Sequence, residues 1–139
     1  SRPTVSIITP TYDGAAFVER YVEAIRAQTF EDWECLVVDD GSTDGTVERL
    51  LAVTADDSRF RLLRSGRHGH PAPGRVLALR EARAELVAFC DQDDFWFPDK
   101  LAFQVAALRA DPAAAFCHTG RVCGRAGDPA HPRIRRWSE

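Results

Sequence analysis

The sequence predicts an α/β fold, with a mostly parallel sheet and helices on both of its faces. Short β-branched or apolar runs alternate along the chain with segments whose apolar residues recur every 3.6 positions. Three of those runs also stop in distinctive polar residues, at Pro10-Thr11-Tyr12-Asp13, at Asp39-Asp40 and at Asp91 to Asp94. In a parallel sheet such stops share one edge, the edge where ligands collect.

Val5 to Thr9 is a β-branched run ended by Pro10, which reads as a first strand. After Gly14, the positions Phe17, Val18, Tyr21, Val22 and Ile25 follow the helical period. Glu34 to Val38 is a second strand. A short helix is expected from about Thr46 to Ala52, capped by Thr43 or Asp44. Phe60 to Leu63 is a weaker third strand, followed by a loop over Ser65 to Gly74, rich in Gly and Pro. A helix then runs from Val76 to Ala84, and Leu86 to Cys90 is the fourth strand. Pro98 suits a helix's first turn, with Leu101, Val105 and Leu108 as its apolar stripe. Ala113 to Thr119 reads as a fifth strand, and no further element is expected after Gly120.

At 139 residues the chain is the size of one domain, one that buries about 70% of its unfolded surface. Its 45% hydrophobic and 28% charged content is globular, and a net charge of -3 gives no reason to expect nucleic acid as partner. No apolar run approaches the roughly 20 residues that span a bilayer, and no secretory signal is present. The chain begins at Ser1 and contains no methionine, so a piece of a longer protein is expected. Cys35 and Cys90 read as small buried thiols, and Cys117, His118 and Cys123 lack the spacing of a zinc finger. Reduced thiols point to the cytoplasm.

The segment from Phe89 to Pro98 carries the most information. An apolar run ends in Asp91, Asp93 and Asp94, three acids within four positions, beside Phe95, Trp96 and Phe97. Close carboxylates repel unless water or a cation takes up their charge. The segment is therefore either an acidic surface turn or a socket for Mn2+ or Mg2+, which bind through one or two carboxylates plus substrate phosphates. In the second case Asp93 touches the metal, and Asp91 faces ribose or a metal-bound water. Asp39-Asp40 caps the next helix, or Asp40 accepts an N–H from a nucleobase with Tyr12 as a flat face beside it. Arg75 is a solvated helix residue or a diphosphate clamp. His68 and His70 read as solvated or donor-loop residues. Neither a Walker A loop nor GxGxxG occurs.

Val5 to Tyr12, Gln28-Thr29-Phe30-Glu31-Asp32-Trp33-Glu34, Val38 to Thr46, and Asp91 to Leu101 together closely resemble the family 2 glycosyltransferases. The resemblance runs from about Pro3 to Pro112. It implies a Rossmann-like nucleotide-diphospho-sugar transferase fold of the A type, metal dependence and inverting sugar transfer. By position, Pro10, Tyr12, Asp13, Asp40, Arg75, Asp91 and Gln92 would contact the nucleotide, and Asp93 the metal. The implied donor is a UDP- or dTDP-linked sugar, and the acceptor a glycan or a lipid-linked saccharide. Gln92 with Trp96 resembles enzymes that build bacterial surface polysaccharides, including rhamnosyl- and galactosyltransferases.

Residues 1–119 would then form the donor-binding domain, and 120–139 an irregular tail or the start of the acceptor-binding part. The family usually has Asn at Asp13 and at Val76, and Gly at Ala78 and Ala84; these departures bear on the donor loop. Its acidic general base lies beyond the segment matched, so no catalytic base is assigned. A cytoplasmic enzyme is expected, with peripheral association to the inner face of the plasma membrane through regions outside this chain. A nucleotide-sugar-binding module without turnover is the alternative. A sugar nucleotidyltransferase is disfavoured, because Pro10 to Gly14 is not the Gly- and Arg-rich loop such enzymes carry.

Overall fold

The computed structural model describes residues 1–123 and 133–135. The chain divides into two compact units, Ser1–Asp99 and Lys100–Glu139. In the first, β1 (Val5–Thr11), β2 (Trp33–Asp39), β3 (Phe60–Arg64) and β4 (Leu86–Phe89) form a parallel sheet in the order β3-β2-β1-β4. A 3-10 turn (Ala15–Phe17) leads into α1 (Val18–Arg26); α2 (Thr46–Thr54) and α3 (Ala72–Glu81) follow their strands. The second unit holds α4 (Lys100–Ala110) and two short antiparallel strands, β5 (Arg121–Cys123) and β6 (Arg133–Arg135).

The strand period of two sorts the core onto two faces. Ile8, Leu36 and Val38 pack with Ala78 of α3, joined by Leu63, Leu77 and Ala82. The alternate residues Thr9 and Cys35 meet α1, whose Tyr21 hydroxyl lies 2.6 Å from Thr9 Oγ1 and 3.0 Å from Cys35 Sγ. Leu50 of α2 lines the same small cavity as Thr9, Val18, Tyr21 and Val37. Covered on both faces, all of β2 and all of β1 except Pro10 are buried. Burial pushes the Cys35 thiol up to about 12, so it stays protonated and inert. Cys35 and Cys90 are both free and buried, as the sequence predicts.

The chain steps outward from β1 to β2 to β3 and then returns to β4 on the other side of β1. Its direction reverses at β1, and the carboxyl ends beside that reversal are where an open α/β sheet holds ligands. The opposite end is tied by a buried carboxylate. Glu34 of β2 accepts from Ser6 Oγ of β1 at 2.7 Å, from the Arg83 amide at 2.7 Å and from Arg61 Nη1 of β3 at 3.1 Å. Ser6 Oγ in turn accepts from the Ala84 amide at 3.1 Å, so one cluster joins three strands and the entry to β4.

Several expectations are corrected. β1 continues through Pro10 to Thr11. Thr4 and Ile8 accept from β4 through their carbonyls, so the even positions face β4, and Pro10, without an N–H, sits past that strand's end at Phe89. α3 begins at Ala72, because Pro73 and Gly74 fall in its first turn, where the missing proline N–H costs nothing; it ends at Glu81 rather than Ala84. Ala113 to Thr119 is not a strand. Asp111 turns the chain instead, accepting from the Ala113 amide through its side chain and from the Ala114 amide through its carbonyl. After Gly120, where no element was expected, β5 and β6 pair.

Removing the Glu34 carboxylate leaves the Arg83 amide and Arg61 without their buried partner. Glu34→Ala should cost about 3 kcal/mol in urea denaturation, and Glu34→Gln clearly less. Burial raises the Glu34 carboxyl, but the Arg83 amide, Ser6 and Arg61 outweigh it and leave it below its usual value. Arg59 is the main cause that takes Asp57 from 3.8 down to about 2. These folded-state values are depressed, so their contribution is full above the unfolded value and lost as pH falls through the folded one. The melting temperature should hold above pH 4.5 and drop increasingly steeply from there towards pH about 2.

Candidate functional site at the strand carboxyl ends

Thr11, the last residue of the central strand, carries bonds to both neighbouring strand ends. Its carbonyl accepts from the Asp40 amide at 2.9 Å, and its hydroxyl bonds Gln92 Oε1. The Gln92 amide also pairs with the Tyr12 backbone in both directions, accepting from its N–H and donating to its C=O, each at 3.1 Å. Gln92 thus continues the β1–β4 ladder beyond β4 by means of a side chain. Gly14 leaves the room for it: a Cβ there would lie 2.2 Å from Gln92 Oε1.

The loops after β1 and β2 are stitched together. Asp13, in the left-handed region at φ 43, donates its N–H to Ser42 Oγ and accepts from the Thr43 amide through Oδ1. Asp and Asn are the side chains that tolerate this backbone best, which fits an acid where the family has Asn. The Gly14 amide reaches Thr46 Oγ1, and the Ala15 amide reaches Asp44. Asp39 folds back to accept from Gly41 and Ser42, turning the chain after β2.

The acidic segment is held at its far end as well. Gln28, buried at the end of α1, donates to the Phe97 carbonyl at 2.9 Å, and the Thr29 amide donates to the Pro98 carbonyl at 2.9 Å. The Gln28-Thr29 part of the resemblance therefore anchors the segment that follows Asp91 to Asp94, at Phe97 and Pro98. Within the segment, Asp91 accepts from Arg75 Nη2 of α3 at 2.8 Å, with both side chains partly exposed. Asp93 is exposed and makes no ion pair among the described residues.

Asp40 has the densest set of partners. Its Oδ1 accepts from the His68 amide at 2.8 Å and lies 3.1 Å from His68 Nδ1; its Oδ2 accepts from the Gly69 amide at 2.8 Å and from Arg67 Nη1 at 3.1 Å. An ionised carboxylate only accepts, so His68 carries its proton on Nδ1. Burial opposes charge on Asp40, but the Gly69 and His68 amides, the His68 ring and Arg67 prevail and take it down to about 2. Gly66 and Gly69, at φ 80 and 81, supply the left-handed bends that turn this loop's amides towards Asp40. The Arg67 guanidinium also lies over the Tyr12 ring, 3.9 Å from its centroid.

Of the residues singled out in the sequence, Tyr12, Asp13, Asp40, Arg75, Asp91 and Gln92 lie at this edge, on mutually bonded segments. Pro10 stays within β1 beneath it, partly buried. Arg67 and Gly69 are not singled out there, His68 reads only as a solvated or donor-loop residue, and Thr11 and Gln28 are noted in a strand end and in the resemblance without a role of their own. A Gly-x-x-Gly spacing in the loop after β3 is the signal that could have marked the first three. Among the described residues no cluster of three His, Cys, Asp or Glu side chains encloses a metal. A hard cation arriving with phosphates needs only one or two carboxylates and water, and unpaired Asp93 supplies an oxygen of that kind.

The pattern of glycosyl transferase family 2 matches residues 6–139. The putative teichuronic acid biosynthesis glycosyltransferase TuaG of Bacillus subtilis (strain 168) is 36% identical over 119 residues, which cover 86% of this chain and 47% of that protein. Among solved structures, the mannosyltransferase PcManGT from Pyrobaculum calidifontis, in complex with GDP-Man and Mn2+, has a TM-score of 0.73 and 33% identity, covering 81% of this chain and 34% of that one. S. aureus TarS 1-349 in complex with UDP has a TM-score of 0.71 and 27% identity, covering 77% and 32%. The chain spans less than half the length of the curated relatives it matches. No described helix is long and apolar enough to cross a membrane. Matched along nearly its whole length, and folded like the nucleotide-sugar transferases of the A type, the chain belongs to glycosyl transferase family 2.

Proposed function

We propose that this chain holds the donor site of a metal-dependent, inverting glycosyltransferase that takes a UDP- or dTDP-linked sugar. The observation that carries the reading is the double tie at Thr11, which sets the Asp40 end and the Asp91–Asp93 end on either side of one residue. A nucleotide diphosphate would lie across these ends with its base towards Asp40 and its phosphates towards Arg75.

In this reading Asp40 accepts the imide N–H of the base, and Tyr12 lies against its face. Gln92 and Asp13 support the nucleotide indirectly, by fixing the Tyr12 backbone and the loop after β2. Arg75 is oriented by Asp91 and keeps further N–H donors for the diphosphate. Asp93 is the residue that would hold Mn2+ or Mg2+, whose chemistry when bound is to offset charge on a departing diphosphate. An acceptor hydroxyl attacks the anomeric carbon opposite the leaving group; the new C–O bond forms as the bond to the diphosphate oxygen breaks. The hydroxyl proton goes to a base outside the residues assigned here.

Residues 1–119 form the donor part in this proposal, and 120–139 begin the acceptor part. The acceptor is a glycan or lipid-linked saccharide of a bacterial surface polymer, handled on the cytoplasmic side, with peripheral membrane association left to regions outside this chain. The teichuronic acid label of TuaG supports that class of product.

Calorimetry with UDP should show binding that strengthens at least tenfold with Mn2+, and Asp93→Ala should remove most of that gain. Equal, metal-independent affinity in both proteins would contradict the Asp93 assignment. Asp40→Ala should weaken uridine and UDP alike by about tenfold, the worth of a hydrogen bond to a charged group. A loss confined to UDP would place Asp40 on the phosphates instead. Transfer by the longer parent protein distinguishes an enzyme from a module that binds donor without turnover.

A further inference from the structure

The Asp40 carboxylate has no spare capacity. A carboxylate offers about four lone-pair sites, and five donors already point at this one: the His68 and Gly69 amides, the His68 ring, Arg67 and, at 3.5 Å, the Ser65 hydroxyl. A base that bonds Asp40 must therefore displace one of them. The two amides belong to the backbone of the loop and leave only if the loop unfolds. The Arg67 side chain is 54% exposed and free to swing into solvent.

Arg67 does more than fill a hydrogen-bond position. Its guanidinium is planar, lies 3.9 Å from the centroid of the Tyr12 ring and donates Nη1 to Asp40 Oδ2 at 3.1 Å. A flat group that stacks on Tyr12 while giving an N–H to Asp40 is what the proposed function requires of a nucleobase. Two such groups cannot share that face and that oxygen at once.

Resting on that reading of Asp40 and Tyr12, we propose that Arg67 is an internal competitor for the nucleobase and thereby sets how tightly the site takes any base, while Asp40 sets which base it takes. In the free protein its guanidinium stands in the base position. A ligand enters only by replacing both the stacking on Tyr12 and the N–H donated to Oδ2. Uracil and thymine carry an N–H on the ring edge that can make this exchange. The corresponding ring nitrogen of cytosine has no hydrogen and can only accept, so cytosine would leave Asp40 facing a lone pair after Arg67 has gone.

The test uses nucleosides, which remove the diphosphate and its attraction to arginine charge from the comparison. Uridine and cytidine are titrated by ligand-observed NMR into the wild-type chain, Arg67→Ala and Arg67→Lys. Uridine should bind Arg67→Ala about three- to tenfold more tightly than wild type, the scale of an exposed cation–π contact and ion pair removed from the free state. Arg67→Lys, which keeps the charge and loses the planar face, should also bind uridine more tightly and gives the same readout should the alanine variant disturb the loop. All three should prefer uridine to cytidine. Unchanged or weaker uridine binding by both variants, with that preference intact, would overturn the competitor role and leave the base site standing. Failure of every protein to distinguish the two nucleosides would overturn the base-site reading, and this inference with it.

Discussion

The end of β1 is the constraint on which the edge of this molecule depends. Thr11 and Tyr12 are bonded on one flank to Asp40 and on the other to Gln92, so the loops that follow β2 and β4 cannot drift apart without breaking these bonds. The register of the parallel sheet brings the ends of β1 and β2 level, the Gln92 side chain ties the segment after β4 to them, and buried Glu34 at the opposite end holds that register. Polar groups at both ends thus frame an apolar middle, where Ile8, Leu36, Val38 and Ala78 supply the packing.

Holding several carboxylates on one edge is costly unless each is compensated. The chain compensates them separately. Asp39 turns back onto its own loop's amides, Asp40 takes the loop after β3, and Asp91 takes Arg75. Asp93 alone of the four has no ion pair or hydrogen bond among the described residues, which leaves it as the carboxylate available to an incoming cation. Asp39, Asp40 and Asp91 are in this way already partnered in the free site, and a ligand that takes Asp40 or Arg75 gains affinity by exchanging partners rather than by meeting bare groups. That arrangement favours ligands that reproduce the donors they displace.

Much of the fold is legible in the sequence, because β-branched runs and the 3.6-residue period each report one local geometry. The strand-end acids are legible for the same reason, since an apolar run that ends in carboxylates marks where a buried strand meets water. The errors have physical causes. Pro10 was read as a stop because a proline cannot donate, yet its missing N–H falls beyond the end of β4. Pro73 and Gly74 looked like loop residues but occupy a helical first turn, which tolerates both. The apolar run at Ala113 looked like a strand, although strand pairing depends on a neighbour that no local pattern reveals. The partners of Asp40 were hidden for a related reason: Arg67 and His68 lie some 28 residues from it along the chain, and only the folded loop brings them together.

The central claim is that the ends of β1, β2 and β4 form one site for a single nucleotide diphosphate. Amide chemical-shift mapping on the isotope-labelled chain, titrated with UDP and Mg2+, tests it most directly. The account predicts that the largest changes cluster at Tyr12, Asp40, His68–Gly69, Arg75 and Asp91–Asp93, all saturating with one dissociation constant. Changes confined to one strand end, or centred on residues away from this edge, would contradict it.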